Sequence, residues 1–147
     1  MNANKMKSPK LLNMSTTEQN LAVIQNAFQN FSTGNIPGIV DICTHDITWS
    51  AYHHPAVPYS KTYTGKAGAG EFFATLGATV DYEVFEPREF FSQDDSVLVR
   101  GYHQAVVKAT GKKYGHDFLM HFRLRDGMVY YYFAFVDIAD QAQAFQS

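Results

Sequence analysis

The stretch His103–Asp137, HQAVVKATGKKYGHDFLMHFRLRDGMVYYYFAFVD, decides how the rest of this 147-residue chain is arranged. Phe, Tyr and Val dominate it, and flat or branched side chains of that kind suit a pleated, half-buried surface. Two glycine turns, Thr110-Gly111 and Asp126-Gly127, divide it into three consecutive strands, so it reads as a meander. Both faces of the meander carry apolar groups. Phe118, Met120 and Phe122 alternate with Leu119, His121 and Arg123, and Tyr130 and Tyr132 alternate with Tyr131, Phe133 and Phe135. A sheet with two such faces needs two covers. The chain supplies helices for one side; a second copy of the chain, or more sheet, is expected on the other.

Composition narrows the function classes. The length predicts one domain, 15–147, behind a flexible leader at 1–14. A net charge of −2 with acidic and basic residues mixed gives no basic stripe, which argues against nucleic acid. The single cysteine, Cys43, leaves no intramolecular disulfide and fits a reducing compartment. It reads as a small buried hydrophobe on a helix rather than a nucleophile. The leader MNANKMKSPKLLNM has lysines but no signal-type apolar run, and nothing approaches the roughly 20 apolar residues of a membrane span. A soluble cytoplasmic protein with no membrane partner is expected.

In chain order, Ser15-Thr-Thr-Glu18 has capping-box spacing and opens a helix to about Thr33. Leu21, Ile24, Phe28 and Phe31 form its buried stripe, with Gln25, Asn26 and Gln29 facing out. Gly34 ends it. A short helix over about Ile36–Cys43 starts near Pro37, and Asp46–Trp49 is a first short strand. Ala51–Gly65, with two prolines and no periodicity, reads as a long loop of the kind that forms lids. Lys66 to about Ala78 is a third helix, with Phe72, Phe73 and Leu76 toward the core. Strands are predicted at about Val80–Phe85, Glu89–Ser92, Ser96–Lys108, Lys113–Arg125 and Met128–Asp137, and the tail Ile138–Phe145 forms a last helical turn or two. Helices followed by a meander mean an α+β domain. The last hairpin has two readings. A three-residue turn sets Phe122 opposite Tyr130, whereas a two-residue turn brings Asp137 beside His116.

Three runs carry a family resemblance: Phe31-Ser-Thr-Gly-Asn-Ile-Pro-Gly-Ile-Val-Asp-Ile-Cys-Thr-His-Asp-Ile-Thr-Trp49, Tyr63-Thr-Gly-Lys-Ala-Gly-Ala-Gly-Glu-Phe-Phe73, and Arg125-Asp-Gly-Met-Val129. In order and spacing they resemble the SnoaL-like and ketosteroid isomerase group of the nuclear transport factor superfamily, over about Thr16 to Asp137. The resemblance implies a cone-shaped, cystatin-like α+β fold. Three N-terminal helices pack on a strongly curved mixed β-sheet that encloses a pocket, commonly with a dimer through the outer sheet face. It also implies that Gly101, His103, Ala105 and Val107 face inward with Phe118, Met120 and Phe122, and it favours the three-residue turn, which puts Tyr130, Tyr132, Ala134 and Val136 inside. His116 shares that face. Trp49, Phe72 or Phe73, and Tyr63 close the cone.

The chemistry of that group does not carry over. Its carboxylate base falls on Ala51, its tyrosine on Ala27 and its protonated acid on Met120, and the acidic residue of related epoxide hydrolases falls on Ala134. What remains is a mostly apolar pocket with Tyr and His as its polar points, the usual makeup of a small-molecule site. His103 is the candidate acid or base, with Tyr132 as hydrogen-bond donor. Trp49, His53, Tyr63, Phe73, His116, Phe118, Met120, Phe122 and Tyr130 are the candidate ligand-binding residues. No metal or cofactor is expected, since no spacing motif brings His53, His54 and His103 together as ligands. Tyr130-Tyr131-Tyr132 is split between faces and reads as core and interface. Arg100, Tyr102, Leu119, His121, Arg123, Tyr131, Phe133 and Phe135 form an outer face suited to a homodimer. Two functions stay open. One is a SnoaL-like protein binding a flat, largely apolar or aromatic molecule, with isomerase or polyketide-cyclase chemistry if it is an enzyme; the other is a non-catalytic dimeric interaction module with a vestigial pocket.

Overall fold

The computed structural model describes residues 16–51 and 53–147, so the expected leader and Ser15 of the capping box lie outside the described residues. Helix α1 spans Thr16–Ser32 and buries Ile24 and Ala27, with Phe28 and Phe31 packed against the same core. Gly34 follows at φ +77°, the left-handed conformation that only glycine takes without a steric penalty. Asn35 caps the short α2, Ile36–Asp41, accepting from the Gly38 N–H at 3.2 Å, and Pro37 sits in its first turn where no amide is needed.

The first strand is longer than the sequence reading: β1 runs Cys43–Ala51. Cys43 therefore opens a strand instead of closing a helix. It is 1% exposed, its thiol donates to the Ile39 carbonyl, and burial pushes its pKa up to about 11, so it is an inert core group. The expected loop hides a strand too. β2, Lys61–Thr64, pairs antiparallel with β1, Tyr63 opposite Trp49. Helix α3 covers Gly65–Thr79 and buries Phe72 and Leu76.

The two strands expected between Val80 and Ser92 are one, β3, Val80–Gln93. Two bulges interrupt its pairing with β4 (Ser96–Val107), between Tyr82 and Val84 and again between Pro87 and Glu89. Each inserts one residue and so reverses the alternation beyond it. The first bulge keeps Tyr82 and Phe85, three residues apart, on the same face, opposite Ala105 and His103. Pro87 lies opposite Gly101, where an added Cβ would collide with the Glu86 carbonyl and the Phe118 ring. Strand β5 is Lys113–Arg125 and β6 is Met128–Phe135. A short C-terminal helix, α4, Ile138–Phe145, ends the chain.

The sheet order is β2-β1-β6-β5-β4-β3, antiparallel except for the parallel pair β1–β6. It is an open, curved mixed sheet with helices packed on it. The inward set on β4 is as expected: Gly101, His103, Ala105 and Val107 are buried, with Phe118 and Phe122 from β5.

The last hairpin follows neither reading. Arg125 pairs with Met128 across a two-residue turn, and a bulge at Tyr130 then shifts the register so that Phe122 meets Tyr132 and Met120 meets Ala134. Tyr132, Ala134 and Val136 face inward. Tyr130 does not. Its hydroxyl donates to Asp95 at 2.9 Å, its ring lies under the Arg125 guanidinium, and Val129 takes the buried place instead.

Candidate active site in the cavity

Inside the curve of the sheet lies a cavity of about 80 Å³ with a mostly apolar wall. β1 contributes Trp49; α3 gives Phe72, Phe73 and Leu76; β3 gives Tyr82 and Phe85; β4 and β5 give His103, Met120 and Phe122; β6 gives Tyr132 and Ala134. Trp49 and Tyr132 stack at 4.0 Å between ring centroids and build one flat wall. Phe28, Phe31, Tyr82 and Phe85 separate the cavity from a groove between α1 and β3, because the same four side chains line both. Phe31 and Phe85 are 4.8 Å apart in that partition. The volume is small beside the roughly 300–1,000 Å³ of sites for drug-sized ligands, so a multi-ring ligand requires part of this wall to swing aside.

The long loop closes the other end and packs tightly. Val57 and Tyr59 are each 2% exposed, and the His53 N–H donates to Ser60 Oγ at 2.7 Å. Tyr59 fills the space beneath the loop, accepting from Gln141 Nε2 at 3.0 Å and lying 3.4 Å from the Tyr114 hydroxyl.

The polar points of this wall are few and buried. His103 Nε2 is 3.0 Å from His116 Nε2, and His116 Nδ1 is 2.8 Å from Asp140 Oδ2. Burial first, then the neighbouring His116 and His53, lowers the His103 pKa to about 3; burial, then His116, lowers that of His53 to about 4. Both imidazoles are neutral near pH 7. Burial likewise raises the Tyr132 hydroxyl above the usual tyrosine range, so it stays a neutral donor. Four wall residues hold a buried polar atom with no hydrogen-bond partner among the described residues: Trp49 Nε1, His53 Nδ1, His103 Nδ1 and Gln141 Oε1. Each such atom costs about 1–3 kcal/mol unpaired, so each is a candidate contact for a ligand in the cavity.

Of the expected site residues, Trp49, His53, Phe73, His103, Met120, Phe122 and Tyr132 line the cavity. Four do not. Tyr63 packs behind Phe72 and donates to the Tyr59 carbonyl at 3.0 Å; Phe118 is stacked beneath Phe85 at 5.2 Å; Tyr130 is displaced by its bulge; and His116 stands behind His103. Sequence reasoning missed Tyr59, Tyr82, Phe85, Gln141 and Asp140. The signal for the last two was an N-cap pattern at Asp137, whose carboxylate accepts from the Asp140 N–H at 3.0 Å and fixes where α4 starts. No group of three or more metal-ligating side chains converges among the described residues.

Helices on one face of an open, curved six-stranded sheet, with a cavity between, define an α+β cone. The model of the SnoaL-like domain matches residues 24–132, and the chain belongs to that family. An NTF2-like protein from Burkholderia xenovorans LB400 superposes with a TM-score of 0.81 at 24% identity, over 88% of this chain and 98% of that one. TerC co-crystallised with polyporic acid gives 0.74 at 25% identity, over 88% and 99%. A candidate polyketide cyclase from Xanthomonas campestris pv. campestris gives 0.73 at 13% identity, over 90% and 100%, a likeness of fold alone. No curated protein matches the sequence. No described helix is long and apolar enough to cross a membrane.

Proposed function

We propose that the chain binds a small, flat, largely apolar carbonyl or phenolic compound in this cavity and moves a proton on it, with His103 as acid or base. The observation that carries the reading is His103 itself, a buried neutral imidazole on the cavity wall with one ring nitrogen unpartnered and the other in a hydrogen bond. A neutral imidazole beside an apolar ring is poised to abstract or return a proton. The stacked Trp49–Tyr132 wall suits a flat ring, and the Tyr132 hydroxyl and the Trp49 N–H are the donors for a ligand oxygen. The place of TerC, with polyporic acid, among the structural neighbours agrees with an aromatic ligand. Proton transfer of this kind underlies isomerisation and aldol-type cyclisation alike.

The outer sheet face supports a second part of the proposal, a homodimer. Phe91 and Phe135 are 53% and 55% exposed there, with Leu98, Leu119 and Phe133 half-buried between them. Phe133 and Phe135 lie 4.7 Å apart. A two-fold contact sets the same stripe against itself and buries it.

Native mass spectrometry of freshly purified protein tests both parts. The expected result is twice the 16.6 kDa subunit mass, with an extra mass on each subunit that collisional activation releases. Met120→Trp fills the cavity and removes the extra mass while leaving the dimer. A bare protein mass that stays bare when 2-tetralone is added would overturn the binding reading; a monomer at micromolar concentration would overturn the dimer.

A further inference from the structure

The imidazole of His103 poses a difficulty that its surroundings resolve. An isolated base so deeply buried holds a proton poorly, because the charged form is poorly solvated there. Behind it, however, stands a hydrogen-bonded path to the surface. His103 is 3% exposed, the His116 side chain 8% and the Asp140 side chain 30%, and the links are 3.0 and 2.8 Å. Asp140 sits in the first turn of α4, where the helix terminus favours a carboxylate, and the oxygen that meets His116 also accepts from the Gly115 N–H at 3.1 Å.

Donor and acceptor rules fix the direction of the chain. A carboxylate only accepts, so His116 carries its proton on Nδ1. With that one proton on its ring, His116 presents a lone pair at Nε2, and the Nε2 of His103 must donate to it. This leaves Nδ1 of His103 without a proton, and Nδ1 is the atom with no partner. We infer that Asp140 is a positioning residue which, through His116, holds the His103 proton on Nε2 and so keeps Nδ1 as a bare acceptor for an acidic proton of the ligand. The inference rests on the proposed function and deepens it: the ligand class is one with an acidic C–H or O–H beside a carbonyl, an enolisable ketone or a phenol.

The proton balance follows. The ligand's C–H or O–H bond breaks and an N–H bond forms at His103 Nδ1, leaving the electron pair on the ligand as an enolate or phenolate. The Nε2 proton of His103 passes to His116 Nε2. Positive charge then rests on His116, against the Asp140 carboxylate, and His103 is neutral again. Charge is moved from a site that cannot solvate it to one with an ion-pair partner.

The test is nitrogen NMR of the full chain labelled with 15N-histidine, which distinguishes protonated from bare ring nitrogens without any ligand. At pH 7.5 the expected protons are on Nδ1 of His116 and Nε2 of His103. Asp140→Ala removes the acceptor, so His116 reverts to the Nε2–H form of free imidazole and forces the His103 proton onto Nδ1. Both tautomers flip. Asp137→Ala loosens the same helix cap without touching the chain of bonds, and leaves both protons in place. A proton on Nε2 of His116 in the unaltered protein would overturn the inference, and that reading stands even if Asp140→Ala fails to fold. No flip in Asp140→Ala, or an equal flip in Asp137→Ala, would overturn it too. A correct tautomer pattern with no ligand found would sink the functional reading alone; a bound ligand with reversed tautomers would sink the relay alone.

Discussion

Between pH 7.5 and pH 4.5 the protein is expected to lose several kcal/mol of folding stability, with two histidines as the main cause. His53 and His103 each have an ordinary pKa of 6.5, lowered to about 4 and about 3 by burial in the folded chain. A folded pKa below the unfolded one means that the unfolded state binds protons first. Their contribution is therefore complete above pH about 6.5 and is given up as pH falls toward 4 and then 3. Two pH units below the unfolded value, each group has given up about 2–3 kcal/mol, a large share of a typical domain's stability. His103 is faced by His116 and Tyr114 from β5 and by Tyr82 from β3, so no carboxylate touches its ring to offset the charge. Urea unfolding followed through Trp49, the single tryptophan, reads the effect directly. The double variant His53→Gln, His103→Gln is expected to be weaker at pH 7.5 but much flatter with pH. Equal stability of the unaltered protein at pH 7.5 and 4.5 would contradict the buried, neutral state of both rings.

Phe118→Ala is the second large effect. Phe118 is 1% exposed, stacked under Phe85 and 5.3 Å from the His103 ring, and it fills the space over Gly101 that a side chain there would occupy. Its truncation leaves a void between two strands held in register on either side, so little can collapse into it. The expected cost is about 3–5 kcal/mol, with Phe118→Leu costing less because most of the apolar contact survives. Urea midpoints at pH 7.5 check both, and a loss under about 1 kcal/mol for the alanine would show that the β4–β5 wall repacks freely.

Strands β4 and β5 were legible because the alternation along their pairing is unbroken. The bounds of β5 follow from its alternation between two glycine turns, the inward-facing residues of β4 from that alternation together with the family resemblance, and α1 from its three- and four-residue spacing of large apolar groups. Legibility ended where one residue was inserted. Glu83 and Arg88 in β3 and Tyr130 in β6 each reverse the faces of everything beyond them, and apart from Pro87 the local residue types announce no bulge. This hid Tyr82 and Phe85 from the site and put Tyr130 in it wrongly. The family resemblance pointed to a cavity but not to its chemistry, since Ala27, Met120 and Ala134, where that resemblance implies functional groups, are wall residues without any. The link from Asp140 to His116 spans 24 residues and depends on where α4 docks, so only the assembled fold displays it. His103 could be singled out from sequence; what lies behind it could not.

Proton exchange tests the account most directly. 2-Tetralone, a flat aromatic ketone with acidic C–H bonds beside its carbonyl, is incubated with the protein in D2O at pH 7.5, and deuterium uptake is followed by NMR against buffer alone. The account predicts exchange at least about 100-fold above buffer, as expected for a positioned acid or base, lost in His103→Phe and in the cavity-filling Met120→Trp. Exchange at the buffer rate with 2-tetralone bound, or acceleration that survives His103→Phe, would contradict the assignment of His103 as the group that moves the proton.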